Sequence, residues 1–325
     1  MKNQKLSAIQ KMNEYGKNKI PFLFIIDFEM QEPQIIKLEE VNPAEILFDI
    51  NGNRNCLTAK PPNMEIQFEK HPVSFSTFRL SFNKVLKEIH AGNTYLLNLT
   101  FPTKIETNLI LKEMFFLSEA KYKLFYKNEF VVFSPEPFVS IDNFSISSYP
   151  MKGTIDAAVT NAAEVILNDK KETAEHNTII DLIRNDLNMV AKKVHVEKYR
   201  YIDKVITKDK TLLQVSSKIT GELEANFNAH IGDLIFSLLP AGSISGAPKK
   251  KTIEIIKNTE TYSRGFYTGI FGYCDGAILD SAVMIRFIEN TGKEMIYKSG
   301  GGITFMSDAE SEYQELIDKV YVPIA

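Results

Sequence analysis

The order of hydrophobic and polar positions along the chain predicts a mixture of strands and helices. Two apolar-rich stretches, at residues 20–28 and 34–38, flank a polar turn containing Pro33 and indicate a β-hairpin. Across residues 73–90, apolar side chains recur three and four positions apart, which is typical of an amphipathic helix ending near Gly92. The next segment, YLLNLTFP, has the composition of a strand.

The middle of the chain continues this mixture without a regular order. Residues 109–120 form a predicted helix, and strand-like runs follow at 123–126, 129–133 and 138–146. The chain has neither a regular β–α alternation nor a repeat at the spacing of solenoids and propellers, and it lacks the glycine-rich motifs of nucleotide sites. An α+β layered fold is therefore the predicted class.

Composition narrows the kind of protein. The 325 residues are 44% hydrophobic and 24% charged, which predicts a globular protein, and no low-complexity linker divides them. A net charge of -3 provides no basic surface for nucleic acid. Cys56 and Cys274 match neither a disulfide framework nor a metal-binding pair, and no apolar run suggests a signal peptide or a membrane span. We therefore expect a cytoplasmic protein that acts on small molecules, without nucleic acid or membrane partners.

Two predicted helices, at residues 170–191 and 307–319, each carry glutamates three positions apart, and Ser307 with Glu310 forms a capping-box signature for the second helix. Alone, such a pair is most often a solvated surface. If the two helices faced each other, four carboxylates would repel unless a hard dication lay among them, and oxygen ligands favour Mg²⁺ over Zn²⁺. The pairs are Glu172 with Glu175 and Glu312 with Glu315.

Three further segments carry groups suited to binding an anion. Residues 238–260 form a Gly/Ser/Pro-rich loop that leads into a helix with Pro248 near its first turn, which indicates either an anion site or a plain cap. The glycines of 300–303 permit close approach by a ligand, although a tight turn has the same composition. Arg286 ends an apolar run at 282–285, where it suits either carboxylate binding or a structural ion pair.

Two residues in the first half of the chain have the chemistry of catalysts. Lys152 lies in the segment SYPMKGT, a predicted loop bounded by Pro150 and Gly153, and such a lysine is usually solvated. Desolvation in a pocket would lower its pKa and make the neutral amine a nucleophile. Glu136, within SPEPF, is a candidate acid or base, and by itself it is a weak signal.

Taken in order, these segments resemble the chorismate-utilising enzymes, a family that includes anthranilate, aminodeoxychorismate, isochorismate and salicylate synthases. The resemblance runs from about residue 75 to the C-terminus, and its main motifs are AGNTYLLNLT, SPEPF, YPMKGT, KETAEHNTIIDLIRNDL, LLPAGSISGAPK and GGGITFMSDAESEYQELIDK. It implies a four-layer sandwich of two central antiparallel sheets flanked by helices. It also implies a catalytic domain at residues 75–325, with an abbreviated N-terminal segment of strands and loops at 1–74 packed on it.

The resemblance also implies roles for individual residues. In the family, two acidic helices hold Mg²⁺ directly or through water, and the corresponding residues are Glu172, Glu175, Glu312 and Glu315. The implied contacts with chorismate are Ser243, Tyr267, Arg286, Gly301 and Gly302. A dianionic substrate suits a dication, a guanidinium and backbone donors.

Lys152 separates the members of this family, because aminodeoxychorismate synthases carry Lys in the motif where anthranilate synthases usually carry Ala. The resemblance therefore implies a Mg-dependent enzyme that aminates chorismate at C4, in the synthesis of p-aminobenzoate and folate. Lys152 is then the nucleophile and Glu136 the acid or base. Ammonia is expected from a separate glutamine amidotransferase, since neither cysteine lies in the expected nucleophile motif.

One departure and two alternatives accompany this interpretation. Many members that add an amine have a His where Gln214 stands, and Gln cannot shuttle a proton. The closest alternative is the same fold with anthranilate or isochorismate as its product. The alternative from another class is a scaffold without catalysis that binds an amidotransferase, and the simultaneous presence of Lys152, Glu136 and both glutamate pairs weakens it.

Overall fold

The computed structural model describes residues 2–57, 65–206 and 211–324. Short 3-10 turns lie at Leu38–Glu40 and Phe227–His230. The helices, in chain order, are α1 (Lys2–Lys17), α2 (Phe75–His90), α3 (Leu111–Leu117), α4 (Ala162–Asn168), α5 (Lys170–Asn188), α6 (Ile231–Leu238), α7 (Gly242–Ser245), α8 (Lys249–Thr259) and α9 (Ala309–Asp318).

The strands differ in length. Most are short, and β6, β12 and β13 as defined below are the longest. In chain order they are β1 (Phe22–Ile26), β2 (Gln34–Lys37), β3 (Ile46–Ile50), β4 (Asn53–Arg54), β5 (Phe68–His71), β6 (Leu96–Thr107), β7 (Tyr122–Tyr126), β8 (Phe130–Ser134), β9 (Pro137–Asp142), β10 (Ser145–Ser148), β11 (Met151–Asp156), β12 (Lys192–Ile206), β13 (Thr211–Glu222), β14 (Gly246–Ala247), β15 (Ile270–Cys274), β16 (Leu279–Val283), β17 (Phe287–Asn290) and β18 (Met295–Ile303).

Within the described residues these strands form two nine-stranded sheets. Sheet A has the order β11-β13-β10-β9-β16-β15-β1-β2, with β12 paired to β13. Sheet B has the order β14-β6-β18-β17-β8-β7-β3-β4, with β5 paired to β6. Neighbouring strands run antiparallel, as in the pairs β1 with β15 and β6 with β18. Both sheets are therefore assembled from segments that lie far apart in the chain.

Alternating side chains show how the layers stack. On β1, Phe22 and Phe24 pack in one core cluster with residues of α1 and α6, whereas Leu23 lies in a second cluster with residues of sheet B. On β7, Leu124 belongs to this second cluster, while the adjacent Phe125 packs with residues of α3. The two sheets thus face each other with helices on their outer faces. The predicted α+β four-layer sandwich is confirmed.

Several predicted elements are confirmed with small shifts in their ends. The hairpin is β1 with β2. The helix predicted at 73–90 is α2, which Ser74 caps by accepting a hydrogen bond from the amide of Thr77 at 3.2 Å. The strand predicted at 95–102 is the first part of β6.

Two parts of the chain differ from the sequence prediction. The run at 138–146 is two strands, β9 and β10, because Asn143 and Phe144 between them have φ of 47° and 64°. Positive φ at both central residues is the geometry of a tight hairpin turn. Helix α1 is not predicted from the sequence, since few of its side chains are apolar, and Ala8 and Met12 are its buried hydrophobic residues.

The first 74 residues contribute to both sheets. Strands β1 and β2 lie in sheet A, whereas β3 and β4 lie in sheet B. The boundary between residues 74 and 75 stays a prediction. In the part of the chain that the structure describes, no helix has the length and apolar character needed to cross a membrane.

Candidate active site

A cavity of about 530 Å³ opens where strands of both sheets meet α5 and α9. Ten of the eleven site residues predicted from the sequence line it. They are Glu136, Lys152, Glu172, Glu175, Ser243, Tyr267, Arg286, Gly301, Gly302 and Glu315. The eleventh, Glu312, lies beside the lining, because a Cβ built on Gly301 would be 3.3 Å from its Oε2. The structure therefore brings together residues that are far apart in sequence, while their individual roles stay predictions.

Lys152 reaches the cavity from an irregular strand rather than from the predicted loop. In the pairing of β11 with β13 the register shifts between Met151 and Thr154, which is a β-bulge around Lys152. Gly153 follows with φ of +89°, a conformation that L side chains rarely adopt. The bulge aims the Lys152 side chain at α5, where Nζ lies 2.7 Å from Oε2 of Glu175.

The expected fall in the pKa of Lys152 is wrong. Burial acts to lower the pKa, but the nearby carboxylates outweigh it, with Glu175 the largest of them, and the pKa is raised above its ordinary value. The resemblance implied that Lys152 is the nucleophile but did not reveal this contact with Glu175. The contact with Glu175 therefore favours the ammonium form of Lys152.

Glu136 lies between β8 and β9 and faces the same cavity. Burial raises the pKa of its carboxyl, although a hydrogen bond from Ser243 opposes the change. Ser243 Oγ donates to Glu136 Oε1 at 2.5 Å. The main chain is held as well, since the amide of Val283 donates to the carbonyl of Glu136 at 3.1 Å. The arrangement favours a protonated carboxyl in a fixed position, as a general acid requires.

The two acidic helices face each other, as the sequence suggested. Burial raises the pKa of Glu172 and of Glu312. At Glu315 burial acts in the same direction, but the ammonium of Lys319, with Nζ 2.6 Å from Oε1, reverses it, so the pKa is lowered. Lys171 joins the helices, with Nζ 3.9 Å from Glu175 Oε1 and 3.7 Å from Glu312 Oε1.

The predicted cap of α9 is wrong by one residue. Asp308, not Ser307, precedes the helix and accepts a hydrogen bond from the amide of Ser311 at 3.0 Å. Ser307 Oγ donates instead to Oε1 of Glu312 at 2.7 Å. The hydroxyl therefore positions one of the four predicted metal ligands.

The donor set fits a hard dication, although its geometry is not that of a closed metal site. Among the described residues, no three of the four carboxylates lie within 4.8 Å of one another. Oε2 of Glu172 is nevertheless buried without a hydrogen-bond partner in the described protein. A buried carboxylate oxygen without a partner is costly, and a cation removes that cost. The lysines beside the other carboxylates supply positive charge at the same place.

Arg286 and Tyr267 lie at the end of the cavity formed by sheet B. Arg286 has φ of 53° between β16 and β17, and its Nη1 donates to the carbonyl of Lys319 at 2.6 Å. Its guanidinium also lies over the ring of Tyr321, 4.8 Å from the centroid. Tyr267 is buried, and burial raises the pKa of its phenol, so the hydroxyl stays protonated. The guanidinium is thus held in place at the cavity wall.

The three glycines at 300–302 lie within β18 and not in a turn. Gly301 pairs with Leu99 of β6, and Gly302 pairs with Asn98. A Cβ on Gly300 would come 2.4 Å from the carbonyl oxygen of Leu99. The run of glycines therefore has two purposes, close strand packing at Gly300 and an open surface beside the acidic helix at Gly301.

Some cavity residues were not identified from the sequence. Lys319 follows Glu315 by one helical turn, a spacing that could have pointed to it, and its Nζ also donates to the carbonyl of Gly300 at 2.9 Å. Asn98 on β6 has Oδ1 buried without a partner in the described protein. Lys298 is almost fully buried and lines the cavity too. Gln214, the departure noted in the sequence, also lines the cavity.

Residues 17–325 match the family described as chorismate binding enzyme, and the chain belongs to that family. A PabA-like protein of Haemophilus influenzae is 50% identical over 316 residues, which cover 97% of this chain and 96% of that protein.

More distant relatives are named for different activities. Aminodeoxychorismate synthase component 1 of Salmonella typhimurium is 31% identical over 302 residues, covering 89% of this chain and 65% of that protein. The crystal structure of anthranilate synthase component I from Streptococcus pneumoniae matches with a TM-score of 0.67 and 27% identity, over 82% of this chain and 60% of that one. These similarities show the family. They do not identify the product, because the relatives are named for different reactions.

Proposed function

We propose that this protein aminates chorismate at C4 to give 4-amino-4-deoxychorismate, as the chorismate-aminating component of an aminodeoxychorismate synthase. The position of Lys152 is the main support for this proposal. Its Nζ lies at the cavity, 2.7 Å from Glu175, and Glu136 lines the same cavity. A lysine there supplies the nucleophile that an alanine would lack.

In the proposed reaction the neutral amine of Lys152 attacks C2 of chorismate. The C2–N bond forms, the two ring double bonds shift, and the C4–O bond breaks. Glu136 donates its proton to the departing hydroxyl, which leaves as water. Ammonia then bonds to C4, the double bonds shift back, and the bond to Lys152 breaks. The new C4 nitrogen returns a proton to Glu136, so ammonia has replaced water without any oxidant or reductant.

The raised pKa of Glu136 supports its assignment as the acid, because a buried carboxyl keeps its proton at higher pH than an exposed one. This assignment also accounts for Gln214, since the leaving hydroxyl then needs no histidine. Ser243, Tyr267 and Arg286 are proposed to orient chorismate by hydrogen bonds and charge.

We propose Mg²⁺ as the cofactor. The ion would neutralise the ring carboxylate of chorismate and the carboxylates that hold Lys152 as an ammonium. Its proposed ligands are Glu172, Glu175, Glu312 and Glu315. We further propose a cytoplasmic protein that receives ammonia from a separate glutamine amidotransferase, in the pathway to p-aminobenzoate and folate.

The product of the reaction tests the proposal. The purified protein is incubated with chorismate, Mg²⁺ and ammonium, and a 4-amino-4-deoxychorismate lyase is then added. We expect p-aminobenzoate by liquid chromatography, and none when chorismate or ammonium is left out. Anthranilate, which needs no lyase, or isochorismate would contradict the proposal and assign the chain to another activity of the same family.

A further inference from the structure

Lys171 lies between the two acidic helices, and the proposed reaction gives it no part. Its Nζ is 3.9 Å from Oε1 of Glu175 on α5 and 3.7 Å from Oε1 of Glu312 on α9. The side chains of Glu175 and Glu312 are only 4% and 6% exposed, whereas that of Lys171 is 43% exposed. A half-exposed cation therefore reaches two buried carboxylates.

The burial of these two carboxylates calls for compensating charge or hydrogen bonds. Burial of an ionised carboxylate is costly unless a charge or hydrogen bonds compensate it. Lys152 contacts Oε2 of Glu175, and Ser307 donates to Oε1 of Glu312. Lys171 is the cation that contacts both glutamates in the described protein, so it links α5 to α9 across the predicted metal site.

We propose that Lys171 is a positioning residue that stands in for the metal ion, holding α5 and α9 together in the metal-free protein and weakening the binding of a divalent cation. The proposal rests on the metal site of the proposed function. A cation about 4 Å from two carboxylates opposes a dication that uses the same oxygens. Because the Lys171 side chain is half-exposed, it swings into solvent when the dication binds.

The test measures binding of Mn²⁺ by electron paramagnetic resonance, followed by displacement with Mg²⁺. It compares the parent protein with Lys171→Met, which keeps the length of the side chain and removes its charge. The matched control is Lys170→Met, because Lys170 is exposed in the same first turn of α5 and pairs with neither glutamate. All proteins carry His71→Ala, since Glu69, His71 and Glu106 form a surface cluster that could bind Mn²⁺ separately.

We expect Lys171→Met to bind Mn²⁺ roughly five- to tenfold more tightly than the parent at low salt, with a smaller gain at high salt because the lysine is half-exposed. Lys170→Met should change the Kd by less than about twofold. Without metal, Lys171→Met should melt at a lower temperature than Lys170→Met, and a divalent cation should remove that difference.

Two results would overturn the inference, and they differ in what else they affect. Equal Mn²⁺ affinity in Lys171→Met and Lys170→Met would exclude competition by Lys171 and leave the proposed metal site intact. Absence of Mn²⁺ binding in the parent protein, with Glu312→Gln unchanged from it, would remove the metal from the proposed function and this inference with it.

Discussion

Glu136 and Lys152 face one cavity and have opposite requirements for their protons. Burial raises the pKa of Glu136, which keeps the proton that an acid must donate. The carboxylates around Lys152 raise its pKa as well, which disfavours the neutral amine that a nucleophile requires. In the proposed reaction the contact between Glu175 and Lys152 must therefore change before Lys152 reacts, whereas the direction of the pKa shift of Glu136 already suits its role.

The variant Glu136→Gln tests whether Glu136 is the acid. The variant keeps the shape of the side chain and loses the proton, so amination should fall by roughly a hundredfold. In the parent, the rate should decline as pH rises through the raised pKa of Glu136, and this decline should disappear in the variant. Initial rates of chorismate consumption across pH test both points. A variant with the parent's rate and pH profile would exclude Glu136 as the acid.

Although Glu136→Gln should lower the rate of amination, it should raise the stability of the fold at alkaline pH. A raised pKa means that protonation of Glu136 stabilises the fold at low pH, and that this contribution is lost as pH rises through the folded-state pKa. Gln mimics the protonated form at every pH. Thermal melts should therefore show the variant equal to the parent at acidic pH and more stable at alkaline pH.

At the scale of residues, the sequence predicted residues that line the cavity, because the motifs consist of particular residue types in a fixed order. It could not predict the contacts that set their charge. The bridge from Lys152 to Glu175 depends on a bulge in β11, and Lys171 meets Glu312 only because α5 and α9 approach in three dimensions. Such contacts are tertiary, and no local pattern records them.

At the scale of elements, the glycines of β18 show how part of a strand can line a site through its main chain. Gly301 faces the acidic helix, since its added Cβ would lie 3.3 Å from Glu312 Oε2 and 3.9 Å from Glu315 Oε1. Gly300 instead faces β6. The sequence left close approach by a ligand and a tight turn as alternatives for these glycines, because glycine is compatible with both, and it did not predict that they lie in a strand.

Alanine substitutions along β18 should separate these two functions. Gly300→Ala forces a Cβ against the carbonyl of Leu99 and should lower the free energy of unfolding by about 1–3 kcal/mol. Gly301→Ala should leave stability nearly unchanged but raise the KM for chorismate or the Mg²⁺ requirement. Gly302→Ala, at the neighbouring implied substrate contact, would place its Cβ 3.1 Å from a side-chain atom of Leu96 and is measured as a third variant.

Denaturant unfolding and steady-state kinetics on the three variants decide this. If Gly301→Ala lost stability as Gly300→Ala does, or if Gly301→Ala bound substrate and metal like the parent, Gly301 would have only a packing role. The strand would then belong to the scaffold and not to the site.

At the scale of the whole molecule, the cavity exists only where distant segments converge. Glu136 follows β8 of sheet B, Lys152 lies on β11 of sheet A, and Glu315 lies on α9 near the C-terminus. The layer order was predictable because the motifs belong to a family with one architecture. The N-terminal helix α1 was not, because its few buried side chains give almost no periodic signal.

The proposed mechanism depends on a covalent bond between Lys152 and chorismate, and a trapping experiment can detect that bond. The protein is mixed with chorismate and Mg²⁺ without ammonia, quenched in acid, digested and analysed by mass spectrometry. We predict an adduct of chorismate less one water on Lys152, absent from Lys152→Ala and removed when ammonium is added before the quench. Amination at the parent's rate by Lys152→Ala, with no adduct in the parent protein, would contradict the account.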